Sequence, residues 1–254
     1  MTSRVIVTPA SAYVRHVEMT GGGTNPLGLD LVVELAAALD ELADDPDCRS
    51  VVLSSRDRHF CAGATAKFDS GGLPWSTSEL YAEVPRLFAF PKPVVVALNG
   101  AAVGGGAGLA MVGDWRQIAT DARIQINFSQ LGYTPGFGLT RSLPELVGPH
   151  RALELMVTGR PVTAEEAVAM GLCDASSAPE ELLNEAVERA EVFATGAPGP
   201  VRALKHSHRA ALIRDLPAVL HAELARQSEF KQTEDYAEGI RAGKERRPPQ
   251  FQDR

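Results

Sequence analysis

Cysteine is scarce in this sequence, with three residues among 254, at positions 48, 61 and 173. Their number is odd and the intervals between them are long, so they indicate neither a disulfide framework nor a zinc site. We therefore expect a fold held together by its apolar core, with no metal ion. A chain of this length can bury one substantial core, alone or with a smaller appended region.

The sequence also lacks long apolar runs and an excess of positive charge. No apolar stretch is long enough to cross a bilayer, and residues 1–9 lack the apolar centre of a signal peptide. The formal net charge of −7 disfavours nucleic acid or an anionic membrane surface as the main partner. These features predict a cytoplasmic protein that does not associate with membranes.

Glycine, by contrast, is concentrated in the stretch around which the chain is organised, residues 93–114. Residues 94–98 are apolar and rich in valine, which predicts a short buried strand. Gly104, Gly105 and Gly106 then lead into residues 108–112, which predict a buried helix. At such a junction a bare backbone can approach a ligand. The free N–H groups of the first helical turn can then hold a phosphate or a developing oxyanion.

Other interpretations of the glycine run differ in what they require. A dinucleotide-binding fingerprint is disfavoured because Leu109 stands where its last glycine belongs, and no Walker lysine follows the run. A plain turn or a close-packing site needs only the glycines themselves. On these residues alone, that structural interpretation stays open beside the ligand-binding one.

The remaining periodicity alternates between strand and helix. It predicts a hairpin within residues 5–19, helices at residues 30–42 and 78–88, and strands at residues 51–54 and 118–128. Such alternation is typical of α/β layering, which we expect up to about residue 160.

From residue 161 the pattern becomes mainly helical. Thr163 and Glu166 form a capping box, Gly171 is a C-terminal stop, and residues 177–180 predict the start of another helix. We therefore divide the chain into a core region, residues 1–160, and a helical region, residues 161–254.

Four segments, in order along the chain, together resemble the crotonase (enoyl-CoA hydratase/isomerase) superfamily: residues 60–64, 99–106, 132–140 and 163–172. The resemblance extends over nearly the whole chain, including its basic ending at residues 246–249. It implies an α/β fold of the ClpP/crotonase type, with a spiral core of repeated strand-strand-helix units. It also implies that the C-terminal helical region builds homotrimers, often paired as hexamers.

The same resemblance assigns a role to the glycine run. In crotonases two backbone N–H groups hold the carbonyl oxygen of an acyl-CoA or acyl-carrier-protein thioester. Matching the motifs residue by residue places these donors at Ala62 and Gly105, and places Ala64 and Gly104 in the substrate pocket. No separate cofactor is implied, because coenzyme A or phosphopantetheine arrives as part of the substrate.

Two side chains on which hydration depends in this family are missing. Hydratases carry one glutamate after the glycines and another before the third motif, and the matching positions hold Gly108 and Phe128. Each general acid or base contributes about 10²–10⁴-fold in rate, so the loss of both predicts negligible hydration. Gly136 occupies a position where some relatives have a catalytic aspartate. We expect it to line an apolar pocket together with Phe128.

An apolar pocket with an oxyanion hole suits the loss of CO₂ from an acyl thioester, because the departing electrons collapse into an enolate. Residues 127–140 look like the decarboxylating crotonases of polyketide β-branching pathways, whereas residues 62–67 are closer to ordinary hydratases. We therefore expect a lyase. An isomerase or hydrolase of an acyl-CoA stays open as an alternative, as does a non-catalytic acyl-CoA-binding protein.

Three further side chains are candidates for the site. Lys67 is expected to contact a substrate phosphate or carboxylate, with a solvated lysine as the equal alternative. Tyr133 is expected to donate a hydrogen bond in the pocket or simply to pack there. His208, with His206 as an equal alternative, lies in a region from which related decarboxylases lend a histidine to the neighbouring subunit, although a solvated histidine is the simpler interpretation of either.

Overall fold

The computed structural model describes residues 4–64 and 76–254. Its centre is a six-stranded sheet in which one edge is an antiparallel hairpin and all other neighbouring strands run parallel. In spatial order the strands are β1 (Arg4–Pro9), β2 (Val14–Thr20), β3 (Ser50–Ser55), β4 (Val94–Leu98), β6 (Trp115–Ala119) and β9 (Ala175–Ser177). The predicted hairpin and the strands predicted at residues 51–54 and 94–98 are confirmed.

The two central strands determine where a site can form. Every residue of β3 and β4 is buried, which explains why their sequences are not alternately apolar and polar. They pair in parallel, with Val51 opposite Val94 and Leu53 opposite Val96. Because parallel strands end at the same edge of a sheet, the segments that follow β3 and β4 leave the sheet side by side.

A smaller sheet consists of β5 (Ala102–Val103), β7 (Arg123–Gln125) and β8 (Pro161–Thr163). The single strand predicted at residues 118–128 is therefore wrong, because β6 and β7 belong to different sheets. The Ala122 N–H donates to the Ala119 carbonyl at 2.9 Å, which closes a turn between them. The apolar pattern continues through that turn because both alanines are buried.

Helices flank the two sheets, and a short 3₁₀ turn, Ser129–Leu131, follows β7. The helix predicted at residues 108–112 begins three residues earlier, since the glycines themselves form its first turn, and those predicted at residues 30–42 and 78–88 are confirmed. Within the described ranges, no helix has the length and apolarity to cross a membrane. The helices are α1 (Leu29–Asp44), α2 (Thr77–Phe88), α3 (Gly105–Ala110), α4 (Leu139–Val147), α5 (Pro149–Thr158), α6 (Ala164–Ala169), α7 (Leu182–Ala194), α8 (Pro198–Phe230) and α9 (Glu234–Glu245).

The two predicted helix starts after residue 160 have different outcomes. The capping box of Thr163 and Glu166 opens α6, and Gly171 follows that helix at a φ of 80°. Residues 177–180 open no helix, because Ser177 ends β9 and donates its hydroxyl to Glu185 at 2.7 Å. The segment beyond residue 160 also supplies β8 and β9 to the two sheets. The division of the chain at that residue stays a prediction.

The longest helix, α8, spans 33 residues and is anchored to the core by Asp114. The Asp114 carboxylate contacts the Lys205 ammonium at 2.7 Å and the Arg209 Nε at 2.9 Å. It also accepts the Val94 N–H at 2.8 Å, so β4 and α8 share one anion. Burial lowers the pKa of Lys205 to about 8, against the opposing effect of the carboxylate. Pro217 interrupts the backbone hydrogen bonding in the middle of this helix.

Substitution of Asp114 by Asn should destabilise the protein severely, because it leaves the buried Lys205 and Arg209 cations without a counter-charge. Breaking a buried pair in this way costs about 3–5 kcal/mol in the free energy of unfolding, measured by urea denaturation. Arg214→Ala is the matched control, since its pair with Asp215 is solvent-exposed and contributes about 0–1 kcal/mol. Equal stability of both variants would contradict the anchoring role of Asp114.

Candidate active site

A pocket opens where the segments that follow β3 and β4 meet, beside the first turn of α3. Residues 62–64 and 103–105 form one wall of the pocket. The opposite wall comes from the segment that carries Phe128, Tyr133 and Phe137, while α2 contributes Tyr81 and α8 contributes Gln227. With Leu27, which precedes α1, the polypeptide brings six separated parts of the sequence to one cavity.

Glycines allow the two strand-end segments to approach each other at backbone distance. A Cβ on Gly63, whose φ is 77°, would lie 2.5 Å from the Val103 carbonyl oxygen. A Cβ on Gly106 would lie 2.1 Å from the Cys61 carbonyl oxygen. Any side chain at either position would separate the two segments. The position of a Cβ on Gly63 is also only 3.7 Å from the Gly105 nitrogen, so the two turns face one cavity.

Gly105 offers one of the expected oxyanion donors. It is the first residue of α3, and the first hydrogen bond across that turn runs from the Gly108 N–H to the Gly104 carbonyl at 3.2 Å. The Gly105 N–H consequently has no intrahelical acceptor. Gly104 precedes it at a φ of 54°, and its own N–H donates to the Gln125 carbonyl at 2.8 Å. This unusual backbone conformation turns the chain from β5 into α3.

The structure corrects the second expected donor. The Ala62 N–H is already occupied, because it donates to the carbonyls of Thr24 at 3.1 Å and Asn25 at 3.3 Å. Ala62 lines the pocket but cannot offer this group to a substrate. Two residues on, the Ala64 N–H has no backbone acceptor among the described residues, and Ala64 also lines the pocket. Ala64 is therefore the better candidate to share an oxyanion with Gly105.

Phe137 occupies the space beside Gly108. A Cβ on Gly108 would lie 2.7 Å from the Phe137 Cβ and 2.9 Å from its Cδ1. Phe137 is 1% exposed and adopts a φ of 62°, which is uncommon for an aromatic residue. At the position matched to the first family glutamate, the structure thus has neither a side chain nor room for one.

Aromatic side chains also fill the opposite side of the pocket. Phe128, at the position matched to the second glutamate, is 5% exposed and packs edge-on against Tyr133, with ring centroids 5.3 Å apart. Tyr133 packs in the same way against Tyr236 at 5.4 Å. Tyr133 therefore lines the pocket, as expected, in edge-to-face contact with two other aromatic rings.

The ionisable groups expected in hydratases are missing from the described lining of this pocket, which contains no Asp, Glu, His, Lys or Arg. Burial raises the pKa of the nearby Cys61 thiol to about 12, which removes it as a nucleophile at neutral pH. No group of three or more metal-ligating side chains occurs among the residues described. The candidate chemistry therefore depends on backbone donors and uncharged polar side chains.

Two predicted residues remain, Lys67 and His208. Lys67 falls outside the described residues. His208 lies on α8 and, within one chain, faces a second cleft with Asp114 and Arg209 rather than the pocket. Its expected contribution to a neighbouring subunit stays a prediction.

A polar pair that contacts Gly136 was not predicted from the sequence. A Cβ on Gly136 would lie 1.7 Å from the Tyr81 hydroxyl oxygen and 2.5 Å from the Gln227 Nε2, so these two side chains cover the glycine. Tyr81 sits beside the buried face of α2, where it is easily taken for a core residue. Gln227 gives the clearer signal. It continues the buried stripe of Leu216 and Leu220 on α8, where a polar residue needs a partner.

Substitution of Gly108 by Ala should lower the free energy of unfolding by about 1–3 kcal/mol, because the added methyl group overpacks the core against Phe137. Urea denaturation measures the change. Gly199→Ala is the matched control, since nothing lies within 4 Å of the added carbon and α8 has begun there. A Gly108→Ala variant as stable as this control would show that Phe137 does not fill the space.

Comparison with known proteins identifies the family. The model of the family described as enoyl-CoA hydratase/isomerase matches residues 11–254. A probable enoyl-CoA hydratase of Bacillus subtilis is 35% identical over 233 residues, covering 89% of this chain and 90% of the relative. The crotonyl-CoA hydratase of Syntrophomonas wolfei is 34% identical, covering 89% of each chain. Human mitochondrial methylglutaconyl-CoA hydratase is 31% identical, covering 90% of this chain and 76% of the relative.

Solved structures of enoyl-CoA hydratases and isomerases share the fold of this chain. An enoyl-CoA hydratase/isomerase from Pseudoalteromonas atlantica superposes with a TM-score of 0.87 at 26% identity, covering 99% of this chain and 100% of the other. An enoyl-CoA hydratase from Bacillus anthracis gives 0.77 at 31% identity, covering 98% and 99%. The predicted crotonase-type α/β fold is thereby confirmed, and the chain belongs to the enoyl-CoA hydratase/isomerase family.

Proposed function

We propose that the protein acts on an acyl-CoA or acyl-carrier thioester and stabilises its enolate between the N–H groups of Ala64 and Gly105. The observation that supports this is the close approach of the Gly63 turn to the first turn of α3. Preorganised donors of this kind stabilise developing negative charge without reorganisation, and each contributes about 10²–10³-fold in rate. The acyl chain then extends toward Phe128 and Phe137.

The reaction that this pocket supports best is decarboxylation. Hydration needs groups that position a water and move its protons, and Phe137 fills the space beside Gly108 where one such group would have to lie. Decarboxylation needs no base. The bond between the carboxylate carbon and the acyl chain breaks, CO₂ leaves, and the electron pair moves into an enolate on the thioester. One proton must then reach carbon.

The best test substrate carries a carboxylate vinylogous to the thioester. Relatives of this chain are named as hydratases, and one of them, from human mitochondria, is named for methylglutaconyl-CoA. That acyl group also satisfies the electronic requirement of decarboxylation, so one compound distinguishes the two reactions. Hydration adds water across the double bond, whereas decarboxylation releases CO₂.

We expect the purified protein to release CO₂ from a 3-methylglutaconyl thioester and to leave crotonyl-CoA unhydrated. Labelled CO₂ and the loss of enoyl absorbance measure the two reactions. Ready hydration of crotonyl-CoA without CO₂ release would contradict the decarboxylase proposal. Tight binding of acyl-CoA with neither reaction would favour the binding-protein alternative.

Replacing Gly105 by Pro should lower CO₂ release by about 10²–10³-fold, because it deletes one oxyanion donor. Proline is tolerated at the first position of a helix, so α3 should persist. Gly105→Ala is the matched control. Both variants must displace the Leu27 side chain, which lies 2.4 Å from an added Cβ, but only the alanine variant keeps the N–H. Equal rates in the two variants would exclude this N–H as a donor.

We also propose that the chain forms a trimer or hexamer. Support comes from apolar side chains that a single chain leaves exposed, with Leu153 at 58%, Val157 at 63% and Leu204 at 70%. Leu153 and Val157 lie one turn apart on α5 and form one apolar strip. Light scattering should give three or six times the mass of one chain, and a stable monomer at micromolar concentration would contradict the assembly.

A further inference from the structure

Tyr81 and Gln227 form a polar pair inside an otherwise apolar part of the pocket. They come from α2 and α8, 146 residues apart in the sequence, and the Tyr81 hydroxyl lies 3.2 Å from the Gln227 Oε1. Both side chains line the cavity that contains Ala64 and Gly105. Neither is needed to form the oxyanion donors, so the pair has a function still to be explained.

The surrounding hydrogen bonds fix the orientation of the pair. The Gln227 Nε2 donates to the Thr134 carbonyl at 3.0 Å, so the amide oxygen is the atom presented to Tyr81. The Tyr81 hydroxyl is therefore the donor in its contact with Gln227. The Phe137 backbone also hydrogen-bonds to this hydroxyl in the sense that favours the phenolate. The oxygen is thus held from two sides, and its proton bonds to Gln227 until it is transferred to a ligand.

The lack of a side chain at Gly136 allows this hydroxyl to approach the backbone there. The Tyr81 oxygen occupies the volume that any side chain at position 136 would fill, since the separation from a Cβ there would be 1.7 Å. The hydroxyl therefore takes the place of a polar side chain that the third motif lacks. Burial raises the pKa of Tyr81, with smaller contributions from Glu223 and Tyr133, so the phenol carries its proton at neutral pH.

We propose that Tyr81 is a catalytic residue that delivers the proton to the enolate carbon after CO₂ has left, and that Gln227 is its positioning residue. This inference rests on the proposed decarboxylation. It follows from the chemistry of the described lining, in which the phenols of Tyr81 and Tyr133 are intrinsically more acidic than the aliphatic hydroxyl of Thr77. The ring of Tyr133 makes edge-to-face contacts with Phe128 and Tyr236, whereas the hydroxyl of Tyr81 lies against Gly136 and Gln227.

Proton transfer from Tyr81 completes the reaction that the loss of CO₂ begins. Loss of CO₂ leaves an electron pair delocalised over the thioester oxygen, the α carbon and, for a vinylogous substrate, the γ carbon. The O–H bond of Tyr81 breaks, and its proton forms a new C–H bond with that electron pair. The resulting phenolate accepts the hydrogen bond from the Phe137 backbone. Water returns the proton after the product leaves.

The experiment uses the position of the product double bond as its readout. Protonation of the 3-methylglutaconyl-derived dienolate at the γ carbon gives the 3-methylcrotonyl thioester, whereas protonation at the α carbon leaves the double bond at the β,γ position. A fixed donor should give one isomer. In Tyr81→Phe we expect turnover to fall by about 10²–10⁴-fold and the residual product to be a mixture of the two isomers.

Three further variants separate proton delivery from a structural effect. Gly136→Ala keeps the hydroxyl but displaces it, so it should also produce mixed isomers. Gln227→Met frees the hydroxyl from its acceptor and should shift the isomer ratio with a smaller loss of rate. Tyr13→Phe, which deletes a half-exposed hydroxyl on the hairpin, is the matched control and should match wild type in rate and product. Affinity for butyryl-CoA, which has no carboxylate to lose, should change by less than about threefold in Tyr81→Phe, because the oxyanion donors remain.

The possible results distinguish the two proposals. Wild-type CO₂ release with an unchanged rate and isomer ratio in Tyr81→Phe would overturn the role of Tyr81 and leave decarboxylation intact. The same outcome with loss in Tyr133→Phe would transfer the role to Tyr133. Absence of CO₂ release from the wild type would overturn decarboxylation itself and the inference with it.

Discussion

The contact between two glycine turns is the constraint on which the pocket depends. The turn at Gly63 packs against Val103, and Gly106 packs against Cys61, both at distances that only a hydrogen side chain permits. The two segments that carry these turns leave the fully buried parallel strands β3 and β4 side by side, which brings the turns together. Gly105, the first residue of α3, lines the cavity beside this contact, and its N–H has no intrahelical acceptor. The close packing that these glycines allow therefore holds the two segments together and also places the proposed backbone donor at the cavity.

Phe137 then determines what the cavity can do. Phe137 covers Gly108 and fills the space that a carboxylate side chain would need there. Phe128 makes the position matched to the second family glutamate apolar. An enolate can still be stabilised by backbone donors, since these need no particular side chain. The described lining retains uncharged polar side chains, among them Tyr81 and Gln227, which are held by α2 and α8. The chemistry proposed for the protein follows from this substitution of charged groups by aromatic and amide groups.

Much of this arrangement could be predicted from the sequence because it depends on local patterns. Valine-rich β4, the capping box at Thr163 and the glycine run each encode their structure within a few residues. The incorrect predictions concern residues whose hydrogen-bond partners lie far away in the sequence or in another structural element. Ala62 resembles a donor until its N–H is seen bonded to Thr24 and Asn25, which belong to a loop before α1. Ser177 does not begin a helix as predicted, because it ends β9 and its hydroxyl donates to Glu185. Tyr81 and Gln227 form a pair although they lie 146 residues apart in the sequence.

Helix α8 links folding to pocket formation. Asp114 holds its first half through Lys205 and Arg209, and its second half carries Glu223, which accepts the Gly138 N–H at 2.8 Å, and Gln227. One residue of the pocket lining, Gln227, is thus supplied by a helix that is synthesised after both central strands. A nascent chain that has completed α3 already contains both glycine turns but lacks the part of the cavity that α8 supplies. During synthesis, the ability to hold a thioester should arise abruptly, when α8 docks, rather than gradually as the sheet grows.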